Sequence, residues 1–181
     1  MKIIVITLPV FIPDEAGKIT TFLQERGMDL VHIRKPSAAI ADVEHLISQI
    51  PPQLYSRLVL HDHFSLAQKY HLHGVHLNSR NPQPPLGWQG SISRSCHSLE
   101  EVEEWKPRMS YVSLSPIFDS ISKQGYKSAF TERQLARALE RGTIDSKVYA
   151  LGGITFSRLA EVREMGFGGA MILGDAWKNE E

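Results

Sequence analysis

The chain has 181 residues and carries 20 Lys+Arg against 20 Asp+Glu, so its formal net charge is zero. That balance argues against a nucleic-acid partner, which usually draws a basic excess, and no apolar run reaches the ~18 residues of a membrane span. A single cysteine, Cys96, excludes an internal disulfide and sets the expectation of a reducing, cytoplasmic compartment.

The opening M-K-I-I-V-I-T-L-P-V-F-I-P has Lys2 as its only basic group, a β-branched core and no small-x-small pattern before Asp14-Glu15. It reads as a first strand, Ile3–Thr7, running into a loop rather than as a leader. Asp14 precedes an amphipathic helix over Glu15–Arg26, and Gly27 closes it. Strand Leu30–Arg34, helix Ile40–Ile50 and strand Leu58–His61 follow. Next comes a short helix, Ser65–Tyr70, with Leu66, Ala67 and Tyr70 in apolar spacing. Strand Gly74–Leu77 leads into N-S-R-N-P-Q-P-P-L-G-W, which is too proline-rich for a full helix. Strand Ser91–Ser95 precedes helix Ser98–Trp105, where Ser98 and Glu101 have the spacing of a capping box. Strand Tyr111–Ser115, helix Glu132–Arg141, strand Val148–Leu151, helix Phe156–Met165 and strand Gly169–Leu173 complete the chain. In the last helix Leu159, Val162 and Met165 recur every three residues, and Gly166 follows.

Strands that alternate with helices at this spacing predict a parallel sheet with right-handed crossovers. Eight such units favour a small (β/α)8 TIM barrel of the α/β class, with an open doubly wound sheet as the alternative. A single domain over residues 1–181 is expected, with a reduced helix after strand four and a truncated last helix. The chain is short for that fold, which usually takes about 200–250 residues.

In a barrel of this kind the working groups stand at the C-terminal ends of the strands. That rule gathers His32, Arg34 and Lys35; His61, Asp62 and His63; Asn78 to Asn81; Ser95, Cys96 and His97; Gly152-Gly153; and Gly174-Asp175. After strand six, S-L-S-P-I-F-D-S-I-S-K-Q-G-Y (113–126) puts Ser120, Ser122, Lys123 and Gly125 in one loop. Short hydroxyl donors beside a cation suit a phosphate or diphosphate, although a solvated turn is the plainer reading. Arg34, if inward, needs an anion or a carboxylate such as Asp62. The H-D-H at 61–63 allows a second class, a barrel metallohydrolase with Zn²⁺ on His61 and His63, for which His76 or His97 could supply further ligands. His45, His71 and His73 read as surface residues.

Taken in order, V-H-I-R-K (31–35), H-D-H (61–63), G-V-H-L (74–77), S-C-H-S-L-E-E (95–101), S-P-I-F-D-S-I-S-K (115–123), A-L-G-G-I (150–154) and G-G-A-M-I-L-G (168–174) resemble the thiamine phosphate synthase / thiazole tautomerase family. The resemblance implies a small (β/α)8 barrel that joins hydroxymethylpyrimidine pyrophosphate to thiazole phosphate with Mg²⁺, acting on small phosphorylated substrates. It implies pyrophosphate contacts from Arg34 and Lys123, a pyrimidine contact from Ser95, and thiazole phosphate contacts from Ser120, Ser122, Gly152 and Gly153. Mg²⁺ would fall to Asp62 and to Asn81, where the family has a second aspartate. His32, Lys35, His61 and Gly174 occupy further substrate-side positions: His32 stands for a glutamine, Pro36 for a lysine that Lys35 neighbours, and Gly174 for a serine. Barrels of this family often pair, so a homodimer is a further expectation. His32-Ile33-Arg34 and Ser95 to Glu101 have the flavour of the tautomerase branch, yet Pro116 stands where that branch has its acid–base histidine. A tautomerase-like enzyme and a non-catalytic binder of thiazole or thiamine phosphate therefore stand as alternatives.

Overall fold

The computed structural model describes residues 1–119 and 128–178. Its eight parallel strands close into a barrel in chain order, β1 to β8, which excludes the open sheet. The elements are β1 (Lys2–Ile6), α1 (Glu15–Gln24), β2 (Leu30–Ile33), α2 (Ile40–Ser48), β3 (Leu58–Leu60), α3 (Phe64–Lys69) and β4 (Gly74–Leu77), then β5 (Ser91–Cys96), α4 (Leu99–Trp105), β6 (Tyr111–Leu114), α5 (Glu132–Glu140), β7 (Val148–Ala150), α6 (Leu159–Glu164) and β8 (Gly169–Ile172). No helix lies between β4 and β5, and among the described residues β8 is followed by one 3-10 turn, Asp175–Trp177. The chain packs as two compact units, Ile4–Ile92 and Met1–Ile3 with Ser93–Glu181.

In the first unit the pairings run Ile4↔Leu30, His32↔Val59 and Leu60↔Val75. Every residue of β2, β3 and β4 is buried, as a parallel strand covered on both faces requires. The helices contribute Ile19, Phe22 and Leu23 from α1 and Val43, Leu46 and Ile47 from α2. Asp14 precedes α1 as expected, but in a left-handed conformation (φ 53) and without a side-chain cap bond. Gly27, at φ 68, lets the chain turn back after that helix. A 3-10 turn at Pro52–Arg57, absent from the sequence pattern, carries Arg57 to the carbonyls of Leu23 (2.6 Å), Met28 and Asp29 (3.0 Å). These are orphan acceptors at and beyond the end of α1, and a guanidinium can serve several of them at once.

In the second unit the register is Ser95↔Ser113, Leu114↔Ala150 and Ala150↔Ala170. Ser98 caps α4 by accepting from Glu101 N at 3.1 Å, while the Glu101 carboxylate accepts from His97 N rather than from Ser98. Thr131 and Gln134 form a complete capping box on α5. Lys106 ties the connection before β7 by donating to Gly142 O, Thr143 O and Asp145 Oδ2. Tyr111 and Tyr149 stack at 4.6 Å on neighbouring strands. A Cβ on Gly168 would lie 1.9 Å from Ser146 O, so only glycine allows that approach before β8.

Candidate active site

The ends of β2, β3 and β4 are built by strand alternation. His32 is paired with Val59, and His61 lies two residues further along, on the same side. Continuing the Leu60↔Val75 pairing sets His61 level with His76. Their rings stack at 4.2 Å, as side chains on adjacent parallel strands can. His32 Nδ1 lies 2.9 Å from His61 Nε2, so one ring donates and the other accepts. His32, His61 and His76 are 0%, 6% and 1% exposed. Burial, reinforced by His76, pushes His32 and His61 well below the ordinary histidine range. Both are neutral at physiological pH.

Arg34 leaves β2 half-buried, its backbone N donating to Thr7 Oγ1 at 2.9 Å. Its guanidinium forms no salt bridge among the described residues. Asp62 is held instead by Arg80, with Nε to Oδ1 at 3.0 Å and Nη2 to Oδ2 at 3.1 Å. Asn81 Nδ2 donates to the same Oδ1 at 2.9 Å and to His61 O at 3.1 Å. Asn78 locks this corner: its Nδ2 donates to His61 O, and its Oδ1 accepts from the backbone N of both Arg80 and Asn81. Arg80 and Asn78, which the sequence placed only on the rim, thus define the geometry around Asp62.

In the second unit, Ser95 Oγ accepts from Ser113 Oγ at 3.5 Å. Cys96 alternates to the opposite face, where burial pushes its thiol up to about 12. It is no nucleophile there. His97 Nδ1 lies 3.2 Å from Ser115 Oγ. After β7, Gly152 (φ 91) and Gly153 (φ 66) pass against Pro116 and Asp119, and a Cβ on either would come within 2.7 Å and 2.5 Å of those residues. Gly174 is exposed at φ −63, a conformation any residue adopts. The Asp175 carboxylate is engaged elsewhere, accepting from Phe156 N at 2.9 Å and from Lys178 Nζ at 3.1 Å. Ser120, Ser122 and Lys123 lie outside the described residues.

Three expectations need correction. Lys35 does not point toward substrate: its ammonium is 1% exposed and is saturated by Glu15 (2.7 Å), Leu8 O (2.9 Å) and Val10 O (2.7 Å). The counter-ion of Asp62 is Arg80, not Arg34. The His61–His63 pair fails because β3 ends at Leu60; His63 turns at φ 54 and its Nε2 bonds Ala38 O at 2.9 Å. Position 116, a proline, offers no group that could transfer a proton.

A closed parallel (β/α)8 barrel is an enzyme scaffold whose active sites stand at the C-terminal ends of the strands. The family model for thiamine monophosphate synthase matches residues 5–174, and the chain belongs to that family. It is 31% identical over 171 residues to the thiamine-phosphate synthase of Salinibacter ruber, covering 86% of this chain and 72% of that protein. A solved structure of thiamine phosphate pyrophosphorylase from Bacteroides thetaiotaomicron superimposes with a TM-score of 0.90 at 42% identity, covering 100% of this chain and 87% of that one. A Pyrococcus furiosus structure of the same description, at 21% identity and a TM-score of 0.76, shares the fold; it covers 97% of this chain and 89% of that one.

Proposed function

We propose that this chain is a thiamine-phosphate synthase of thiamine biosynthesis, a transferase that joins hydroxymethylpyrimidine pyrophosphate to thiazole phosphate. The family match across residues 5–174 carries this reading. The bond between the pyrimidine methylene and the diphosphate oxygen breaks, with the electron pair leaving on oxygen. The thiazole nitrogen then supplies its lone pair to the methylene carbon, giving thiamine phosphate. No strong base is required, so the site must orient two substrates and neutralise the departing charge.

Each group has a part that suits it. Arg34 grips the diphosphate through its fork, joined by Lys123. Ser120 and Ser122 donate to the thiazole phosphate, and Gly152 and Gly153 let that phosphate approach bare backbone. Gly174, beyond β8, leaves space on the same substrate. Ser95 faces the pyrimidine amine, and the neutral rings of His32 and His61 offer it hydrogen bonds without placing a positive charge against the developing cation.

Asp62 and Asn81 bring a carboxylate and an amide together, a donor set that would fit Mg²⁺ once the Asn81 amide turned its oxygen in place of the Nδ2 that now bonds Asp62, because the ion typically takes one or two carboxylates together with phosphate oxygens. Asp62, with the oxygen of Asn81, would hold it after Arg80 swings away from the carboxylate. When bound, the ion supplies neutralisation of the diphosphate.

The test is to mix the protein with both substrates and Mg²⁺ and to quantify thiamine phosphate against a protein-free control. Product that EDTA abolishes supports the proposal. No product, with thiazole phosphate still bound in a parallel titration, overturns it in favour of a binding protein.

A further inference from the structure

His32, His61 and His76 bring one ring nitrogen each to within 4.8 Å of one another, and all three are buried. We propose that this trio is a binding site for a borderline-soft divalent transition metal such as Zn²⁺ or Co²⁺, separate from the oxygen donors at Asp62 and Asn81.

Three imidazoles with one open position form a recurrent ligand set for Zn²⁺. Nitrogen donors favour the later first-row metals, whereas Mg²⁺ seeks oxygen. His32 stands on β2 and His76 on β4, while His61 is the first residue beyond β3, so neighbouring strand ends hold the three rings together. His32 Nδ1 and His61 Nε2 are already 2.9 Å apart. Tetrahedral ligation at ~2.0–2.1 Å puts nitrogens roughly 3.3 Å apart, so that pair opens by a few tenths of an ångström while His76 closes in.

Binding exchanges the N–H···N bond between His32 and His61 for two metal–nitrogen bonds, with the shared proton moving to the ring's other nitrogen. Each imidazole ligates a metal as the neutral ring. His61 is the most exposed of the three at 6%, and its backbone carbonyl is fixed by Asn78. On the transferase reading, a metal here shares His32 and His61 with the pyrimidine and therefore competes with it.

The experiment is titration of chelator-treated protein with Co²⁺, followed by its visible d–d bands. One equivalent is expected to develop them, Zn²⁺ to erase them and excess Mg²⁺ to leave them intact. His61→Gln and His76→Asn should each abolish the bands, and Asp62→Asn should not. Absence of bands in the wild-type protein overturns the site, as does their removal by Mg²⁺ or by Asp62→Asn. If one histidine variant does not fold, a Zn²⁺-induced rise in the Tm of the wild type that the other, folded variant lacks reads the same point. The titration contains no substrate, so its failure leaves the transferase reading untouched.

Discussion

Arg80 holds Asp62 by both carboxylate oxygens, at 3.0 Å and 3.1 Å, from the turn that follows the neighbouring strand. Arg80 is 43% exposed and Asp62 only 12%, so the cation sits on the solvent side of the carboxylate. Solvated pairs of this kind contribute about 0–1 kcal/mol. The contact therefore adds little to stability, and on the transferase reading it competes with Mg²⁺ for Asp62. Arg80→Ala is expected to lower the Mg²⁺ concentration for half-maximal product formation and to change stability by less than about 1 kcal/mol. Asp62→Asn should move the Mg²⁺ requirement the other way. Metal titrations of the two variants, with thermal melts as the control, check the assignment.

The second prediction separates the two substrates. A charged hydrogen-bonding group of Arg34's type contributes about 1.5–3 kcal/mol, so Arg34→Ala should weaken hydroxymethylpyrimidine pyrophosphate by roughly 10- to 150-fold. Thiazole phosphate should be nearly unaffected. Ser122→Ala should show the reverse bias. Paired binding titrations decide it, and equal loss of both ligands would count against the role given to Arg34.

Lys35 and Glu15 make the third. Both are almost fully buried and lie 2.7 Å apart, so truncating one strands the other's charge. Lys35→Met should cost about 3–5 kcal/mol, and the double change Lys35→Met/Glu15→Leu should recover much of it. Urea unfolding of the set measures both effects. A Lys35→Met protein as stable as the wild type would show that the pair is not intact.

The histidine trio sets an acid limit. Burial lowers His32 and His61 below 6.5 in the folded chain, so on acidification the unfolded state takes up protons first. Stability is full above about pH 6.5 and is lost as pH falls from there toward the folded values, by up to about 1.4 kcal/mol per pH unit for each ring. His61→Gln should flatten that slope. Denaturant midpoints between pH 7 and pH 5 would reveal it, and an unchanged slope in the variant would sink the account.

Gly153 is the fifth. At φ 66, with a Cβ position 2.5 Å from Asp119 O, Gly153→Ala should lose about 1–3 kcal/mol of stability. It should also weaken thiazole phosphate, because the turn after β7 must shift. Melting and ligand titration of this single variant report the two effects separately.

The strands were legible because their signal is short-range. Runs such as L-V-L in β3 are apolar on both sides of the chain, and the structure ends each strand within two residues of the pattern. The Pro52–Arg57 turn was not, since its reason is Arg57 reaching carbonyls more than 25 residues away. The site divides in the same way. His32, His61 and His76 each occupy an inward position that alternation gives, yet their meeting depends on the stagger between strands, which no single strand encodes. Lys35 misled because it stands next to Arg34 in sequence, and only the fold brings Glu15 beneath it. Arg80 was gathered with the other rim residues but given no partner, although its place three residues beyond Leu77 brings it beside Asp62.

The Lys35 ammonium also fastens the carbonyls of Leu8 and Val10, in the connection between β1 and α1. That stretch of the rim is thus ordered when the chain folds and not when a ligand arrives. Whatever binds beside it is spared the conformational entropy of freezing those residues, and what it gains in affinity has been met in advance by a buried charge pair that no substrate touches.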